Sequence, residues 1–233
     1  NSYHGSTYGS LSLLGRKKQK IGYYPMMPNI RFIKFNSNSD INEIDSKTAG
    51  VILETIQGGA GFILPKPGYL QKIKERCEKV GALLILDEIQ PGFGRTGHFF
   101  AFEKYNISPD ILVLGKGMGG GLPIGAFTSS KKNMSLFEKK PRLGHITTFG
   151  GNPLVAAAAL ATIKEIKDTN LLDKISNKEY LFRKYLIHEK IKKINGKGLM
   201  LALIFESKEI ANKLINECIK EGLLLFWLLW KKN

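Results

Sequence analysis

Short apolar runs recur along the first two thirds of the chain, and polar or glycine-rich stretches separate them. The runs at 49–55, 83–89, 111–114 and 125–128 have the length of strands. The second run, LLILDEI, stays apolar until its carboxylates, as strands do when both faces of a sheet are covered. We therefore expect four strands in this part of the chain.

Helical patterns lie among these runs. Pro67–Val80 places apolar side chains on one helical face. These side chains are Tyr69, Leu70, Ile73 and Cys77. An alanine-rich stretch at 153–167 and a longer stretch at 171–193 are also helical in pattern. The alternation predicts an α/β fold, with a mostly parallel sheet and helices on both faces.

The pattern changes towards the end of the chain. NGKGLMLALIF, at 195–205, predicts a turn and a strand, and Lys208–Glu221 predicts a helix. This is a small α+β unit. We expect a large domain at residues 1–170 and a truncated small domain at residues 171–233.

The charge of the 233-residue chain is strongly basic, with a formal net charge of +15. Such a charge can indicate nucleic-acid binding. The lysines, however, are scattered among glutamates, and no nucleic-acid-binding motif accompanies them. We expect a solvated surface and no nucleic-acid partner, with a basic binding protein as the alternative.

The cellular setting follows from what the sequence lacks. No apolar run reaches the ~20 residues that cross a membrane, so we expect no membrane contact. Cys77 and Cys218 lie far apart without metal-binding spacing, which predicts reduced thiols in the cytoplasm. The opening NSYHGSTYGS is polar and lacks an initial methionine, so we expect that the native start precedes Asn1.

Charged residues end three of the predicted strands. Glu54, Asp87 and Glu88 come at strand ends, and Lys116 follows the third strand by two residues. Each alone is ordinary, since such carboxylates often cap helices and glycine runs often form turns. Together they suggest a site, because open α/β sheets bind ligands at the carboxyl ends of their strands.

The chemistry of this set is specific. Lys116 stands among glycines in LVLGKGMGGGLPIG, where a flat ligand has room to approach the backbone. A lysine there can form a Schiff base with a carbonyl compound. An aspartate such as Asp87 can keep a pyridine nitrogen protonated. This combination is what pyridoxal 5′-phosphate (PLP) requires.

The stretch LLILDEIQPGFGRTGHFFAFEKYNISPDILVLGKGMGGGLPIGAF resembles the signature of class III (ω-type) aminotransferases. VILETIQGGAGF, HITTFGGNPLVAAAALATI and NSYHGSTYGS resemble that family's neighbouring segments, in family order. The resemblance implies fold type I, PLP as cofactor and a homodimer.

The resemblance also implies roles for single residues. Lys116 would bind the cofactor as a Schiff base and move the proton of the reaction, and Asp87 would bind the pyridine nitrogen. Ile89 and Tyr3 would lie on opposite faces of the ring, and Gln90 would reach its phenolic oxygen.

The remaining implied positions surround this centre. Thr148 would donate to the phosphate across a dimer interface, and Glu54 would lie near the pocket. His4 belongs to the aromatic-His-Gly segment beside the cofactor. His98, His145 and His188 have no spacing that suggests a metal, so we expect none.

Some family features are missing from the sequence. The phosphate-binding loop before the aromatic-His-Gly segment is absent, as is the Arg-x-x-Pro-Pro segment that grips a substrate carboxylate. Gly59 stands where ornithine and acetylornithine aminotransferases commonly have glutamate. Gln90, in contrast, is typical of the acetylornithine, ornithine and 4-aminobutyrate group.

These features lead to one functional expectation. We expect transfer of an ω-amino group from an acetylornithine- or ornithine-like donor to 2-oxoglutarate, by a ping-pong mechanism. A 4-aminobutyrate-type enzyme and an inactive fragment are the alternatives.

Overall fold

The computed structural model describes residues 1–139, 141 and 144–226, with Lys139 described by its backbone alone. The chain divides into two compact units. The first comprises Asn1–Phe32, Ile56–Leu64 and the chain from Ile175 onward, and the second comprises Ile33–Thr55 and Pro65–Lys174. The assignment of functional domains to residues 1–170 and 171–233 stays a prediction.

Six strands and seven α-helices occur in the described residues. The strands are β1 (Gly50–Glu54), β2 (Leu83–Asp87), β3 (Ile111–Gly115), β4 (Gly125–Ser129), β5 (Lys193–Lys197) and β6 (Met200–Ile204). The helices are α1 (Tyr8–Ser12), α2 (Tyr69–Val80), α3 (Lys131–Met134), α4 (Leu136–Lys139), α5 (Pro153–Asp168), α6 (Asp173–Tyr185) and α7 (Lys208–Lys220). Short 3₁₀ turns lie at 17–20, 40–43, 101–105 and 116–119.

The second unit is built on a four-stranded sheet with the strand order β1-β2-β3-β4. The pairs β1–β2 and β2–β3 are parallel, and β3–β4 is antiparallel. The four strands predicted from the apolar runs are confirmed, with bounds that shift by one or two residues. The mostly parallel sheet is confirmed with them.

Helix α2 packs on this sheet and forms the main core with it. Leu84 and Leu86 of β2 are fully buried against the apolar face of α2. That face is the predicted one, consisting of Tyr69, Leu70, Ile73 and Cys77. Each such large apolar side chain contributes about 1.5–3 kcal/mol when it is fully buried.

The helix begins at Tyr69, two residues later than the pattern predicts. Gly68 precedes it with φ +74°, a left-handed conformation that a right-handed helix cannot include. Pro67 therefore lies outside the helix. Gly81, with φ +79°, ends the helix in the same conformation.

The hairpin of β5 and β6 belongs to the first unit, and the sequence pattern predicts only one of its two strands. The predicted helical stretch 171–193 ends at Tyr185, because the chain then turns into β5. Gly196 has φ +102°, and a Cβ there would collide with the Met200 carbonyl of the partner strand. The hairpin thus depends on glycine at this position.

A buried glutamate, Glu179 of α6, joins this hairpin to its helix. Arg183 Nε lies 2.9 Å from Glu179 Oε1, and Lys197 Nζ lies 2.8 Å from Oε2. The Gly198 amide also donates to Oε2, at 2.9 Å. Across the part of the chain that the structure describes, no helix is both long enough and apolar enough to cross a membrane.

Candidate functional site

The register of the parallel strands brings the predicted charged residues to one edge of the sheet. Glu54 pairs with Asp87 across β1 and β2, and Asp87 pairs with Val113 across β2 and β3. Lys116 follows β3 directly. Glu54, Asp87 and Lys116 are therefore together at the carboxyl edge, where α/β sheets bind ligands.

Alternation along β2 places the two adjacent carboxylates on opposite faces of the sheet. Leu84 and Leu86 face the α2 core, and Glu88 continues that face. Asp87 points to the other face, although it is also buried. Its Oδ1 accepts a hydrogen bond from the Ile89 amide at 3.0 Å, which fixes the carboxylate at the strand end.

Lys116 has an unusual backbone conformation. It opens the 3₁₀ turn after β3 with φ +44°, in the left-handed region that a lysine rarely adopts. Such strain costs about 1–3 kcal/mol and clusters at functional sites. The side chain is exposed and thus accessible to a ligand.

Ile89 lies directly beside the backbone that leads to Lys116. A Cβ placed on Gly115 would lie 3.5 Å from Ile89 Cγ2 and 3.3 Å from the Ile124 carbonyl oxygen. Glycine at 115 therefore leaves an apolar surface next to the lysine. Ile89 thus connects the end of β2, which carries Asp87, with the end of β3, which leads to Lys116.

Helix α5 fixes the other side of the lysine turn. Gly120 has φ +57°, and a Cβ there would collide with the hydroxyl of Thr162 on α5. That hydroxyl donates to the Ala158 carbonyl of its own helix at 2.9 Å. Glycine at 120 thus permits a close approach of turn and helix, which the glycine run alone does not reveal.

Both carboxylate oxygens of Glu88 accept hydrogen bonds within the protein, and the sequence did not predict these contacts. Its Oε1 accepts from the Thr55 hydroxyl at 2.6 Å and from the Phe102 amide at 3.0 Å. Its Oε2 accepts from the Ala101 amide at 2.9 Å. Burial raises the pKa of Glu88 to about 7, although these donors act in the opposite direction.

The aromatic residues around the segment that receives Glu88 explain this burial. Phe99 and Phe100 pack edge to face, with ring centroids 4.9 Å apart, and Phe100 stacks on Phe102 at 5.7 Å. Phe93 contacts both Phe99 and Phe100. The only sequence signal for this cluster was the aromatic run HFFAFEKY, which has no strand or helix periodicity.

The other predicted residues are placed less centrally. Gln90 is exposed in the turn that follows Ile89, and Thr148 is exposed in the turn before α5. Tyr3 and His4 belong to the first unit. The roles of these four residues stay predictions. Among the described residues, no group of three or more His, Cys, Asp or Glu could hold a metal ion.

Known proteins resemble the chain over nearly its whole length. It is 40% identical to the acetylornithine aminotransferase of Clostridium acetobutylicum over 230 residues, which is 97% of this chain and 59% of that protein. It is 39% identical to the [LysW]-aminoadipate semialdehyde/glutamate semialdehyde transaminase of Sulfurisphaera tokodaii, over 87% of this chain and 53% of that protein. The chain thus spans less than two thirds of the length of these relatives.

Solved structures agree with the sequence comparison. The ornithine aminotransferase of Toxoplasma gondii ME49 superposes with a TM-score of 0.91 at 33% identity, over 99% of this chain and 56% of that one. A second Toxoplasma gondii structure, described as having partial PLP occupancy at its active site, gives a TM-score of 0.90 at 32% identity. It covers 99% of this chain and 56% of that chain.

The predicted fold is therefore that of PLP-dependent aminotransferases, fold type I. A family model described as "Aminotransferase class-III" matches residues 1–228, almost the entire sequence. This match covers every predicted site residue from Tyr3 to Thr148. The chain belongs to the class III aminotransferase family.

Proposed function

We propose that the protein is a PLP-dependent aminotransferase that moves an ω-amino group from an acetylornithine- or ornithine-like donor to 2-oxoglutarate. The observation that carries this proposal is the placement of Asp87 and Lys116 at the carboxyl ends of adjacent parallel strands. Membership of the class III family supports PLP as the cofactor.

The residues present fit this cofactor. An exposed, strained lysine offers the amine, a buried aspartate offers a fixed negative charge, and Ile89 beside Gly115 offers an apolar surface for a flat ring. When bound, PLP supplies an aldehyde that condenses with amines and a ring that accepts electrons. The amine of Lys116 suits the aldehyde, and the carboxylate of Asp87 and the apolar surface of Ile89 suit the ring.

Asp87 would hold a proton on the ring nitrogen. Its carboxylate is buried and its direction is fixed by the Ile89 amide, so the charge is presented from a defined position. In a buried setting, such a charge interacts more strongly than it would in water. Asp87 thereby keeps the ring cationic.

Lys116 would bind the cofactor and then move a proton. Its Nζ would take a proton from the donor carbon that bears the ω-amino group and would deliver it to the cofactor carbon that receives that amino group. The left-handed backbone at Lys116 and the Gly120–Thr162 approach fix the base of this side chain. Because one site serves donor and acceptor in turn, a ping-pong sequence is expected.

The remaining assignments come from the family resemblance. Tyr3 would stack on the ring, Gln90 would contact its phenolic oxygen, and Thr148 would reach the phosphate of the partner in a homodimer. Glu54 and His4 would lie near the pocket. The two curated relatives support an amino donor with a terminal amino group, since their names give acetylornithine and semialdehyde substrates. A cytoplasmic location is proposed with the rest.

The first test uses the cofactor alone. PLP added to the full chain should give a shifted absorbance band, and borohydride reduction followed by peptide mass mapping should place the label on Lys116. Lys116→Ala should lose both the band and the label, because no amine remains at that position. Lys104→Ala, which removes an exposed lysine elsewhere in the second unit, is the matched control and should keep both.

The second part tests the reaction. The full chain with PLP and 2-oxoglutarate should form glutamate with acetylornithine or ornithine faster than with 4-aminobutyrate. Turnover that persists in Lys116→Ala would contradict the mechanism. A preference for 4-aminobutyrate would contradict the proposed donor while leaving the cofactor assignment intact.

A further inference from the structure

Glu88 is the immediate neighbour of the proposed cofactor-binding aspartate, yet its side chain points to the opposite face of the sheet. It is completely buried, and both of its carboxylate oxygens accept hydrogen bonds. Its donors come from two separate parts of the chain, namely Thr55 after β1 and the amides of Ala101 and Phe102. The side chain therefore ties three segments together directly behind Asp87.

The backbone of Glu88 is fixed as firmly as its side chain. Its amide donates to the Val113 carbonyl of β3 at 2.9 Å, and its carbonyl accepts from the Gly92 amide at 3.0 Å. Glu88 also stands between Asp87 and Ile89, whose amide binds the Asp87 carboxylate. A shift of Glu88 would move both ends of that hydrogen bond.

We propose that Glu88 and Thr55 form a positioning pair, which holds the end of β2 so that the Asp87 carboxylate is presented to the cofactor ring nitrogen. This inference rests on the proposed function, because it assigns Asp87 to that nitrogen. Neither residue is a catalytic residue: both act through Asp87. Where residues support metal ligands in this way, their substitution commonly lowers the metal affinity about 10–100-fold.

The donors around the pair suit a carboxyl group at position 88 and a hydroxyl at position 55. The Ala101 and Phe102 amides can only donate, so a glutamine at position 88 would turn its own N–H groups towards at least one of them in either orientation. Valine at position 55 keeps the shape of threonine but removes its donor. Serine at that position keeps the donor.

Charge near the pair links it to Asp87 as well. The negative charge of Asp87 acts to raise the pKa of Glu88, and Glu88 in turn acts to raise the pKa of Tyr105. The side chains of Asp87 and Tyr105 are thus both close enough to Glu88 to interact with it electrostatically.

The test compares PLP with its analogue in which carbon replaces the ring nitrogen. Only PLP can interact with Asp87 through that nitrogen, so the ratio of the two dissociation constants reports on Asp87 alone. The full chain should bind PLP more tightly, and Asp87→Ala should abolish the difference. Thr55→Val and Glu88→Gln should reduce the ratio roughly tenfold, and Thr55→Ser should restore most of it.

The ratio of the two dissociation constants also distinguishes a positioning effect from a loss of folded protein. A variant that is partly unfolded loses affinity for both compounds equally, so the ratio is unchanged by the unfolded fraction. If Thr55→Val and Glu88→Gln weaken both compounds equally, the pair is structural only and the positioning role is overturned. If the unsubstituted chain binds both equally well at Lys116, the assignment of Asp87 and the proposed function are overturned instead.

Discussion

Glu88 and Glu179 are both buried glutamates, but they are stabilised in different ways. Glu88, in the second unit, has one hydroxyl and two backbone amides as donors, and none of them carries a charge. Glu179, in the first unit, has Arg183 and Lys197 within 2.9 Å and an amide as a third donor. The number of hydrogen bonds is similar, so the difference lies in the charge of the partners.

The two pKa values move in opposite directions. At Glu88, burial outweighs its neutral donors and raises the pKa to about 7. At Glu179, burial acts in the same direction, but the hydrogen bonds from Lys197, Gly198 and Arg183 and the charge of Lys197 outweigh it, so the pKa is lowered. Neutral donors satisfy a buried carboxylate, whereas cations also compensate for its lost hydration.

The largest expected effect is a pH dependence of stability that comes from Glu88. Between its ordinary pKa of 4.5 and about 7, the folded chain keeps a proton that the unfolded chain releases. The stabilising contribution is complete below this window and is lost as the pH rises through it. From pH 5 to pH 8, the unfolding free energy should fall by about 2–3 kcal/mol relative to that of Glu88→Gln.

Urea unfolding at several pH values, followed by circular dichroism, measures this difference. As the pH rises from 5 to 8, the difference in unfolding free energy between the two proteins is expected to shift by this amount in favour of Glu88→Gln. Parallel stability curves for the two proteins would contradict the role given to burial.

Glu179→Gln should have a smaller effect with the opposite dependence on pH. The lowered pKa of Glu179 means that its contribution is present above the ordinary carboxyl range and is lost as the pH falls through the lowered value. At pH 7 the substitution should cost about 1–2 kcal/mol, because the cations are about one third exposed and partly screened. The same unfolding experiment should show this cost shrinking in acid, and a cost that grows there would refute the comparison.

The smallest effect is expected at an exposed ion pair in the first unit. Lys192 Nζ lies 2.9 Å from Glu206 Oε1, but the two side chains are 54% and 66% exposed. Lys192→Met should therefore change the unfolding free energy by about 0.5 kcal/mol or less, and added salt should reduce even this difference by screening the pair. If Lys192→Met lowered the unfolding free energy as much as Glu179→Gln, exposure to solvent would not explain the difference between these two ion-pair sites.

The sequence was a good guide wherever chemistry and periodicity coincide locally. Runs such as LLILD mark strands, and the rule for parallel sheets then places Asp87 and Lys116 at the same edge. The buried face of α2 was predicted residue by residue. These features depend on neighbours a few positions apart, which a single sequence displays.

Features that depend on distant residues could not be read in this way. The Thr55–Glu88 hydrogen bond joins residues 33 positions apart, and the Gly120–Thr162 approach also joins distant segments. Strand β5, KINGK, is largely polar and contains glycine, so no apolar run predicts it. Such contacts follow from tertiary packing, which overrides local preference.

The strand order of the sheet has a consequence for how the site assembles. In the order β1-β2-β3-β4, each strand after β1 pairs with the strand that precedes it in the chain. No strand is inserted later between two strands that are already paired. Sequential pairing keeps the paired strands as close in the sequence as the parallel crossovers allow, so the sheet can be built strand by strand in chain order. As a nascent chain emerges, the strand that carries Asp87 can pair before the strand that leads to Lys116 exists. The lysine is then added to an edge whose carboxylates are already in place.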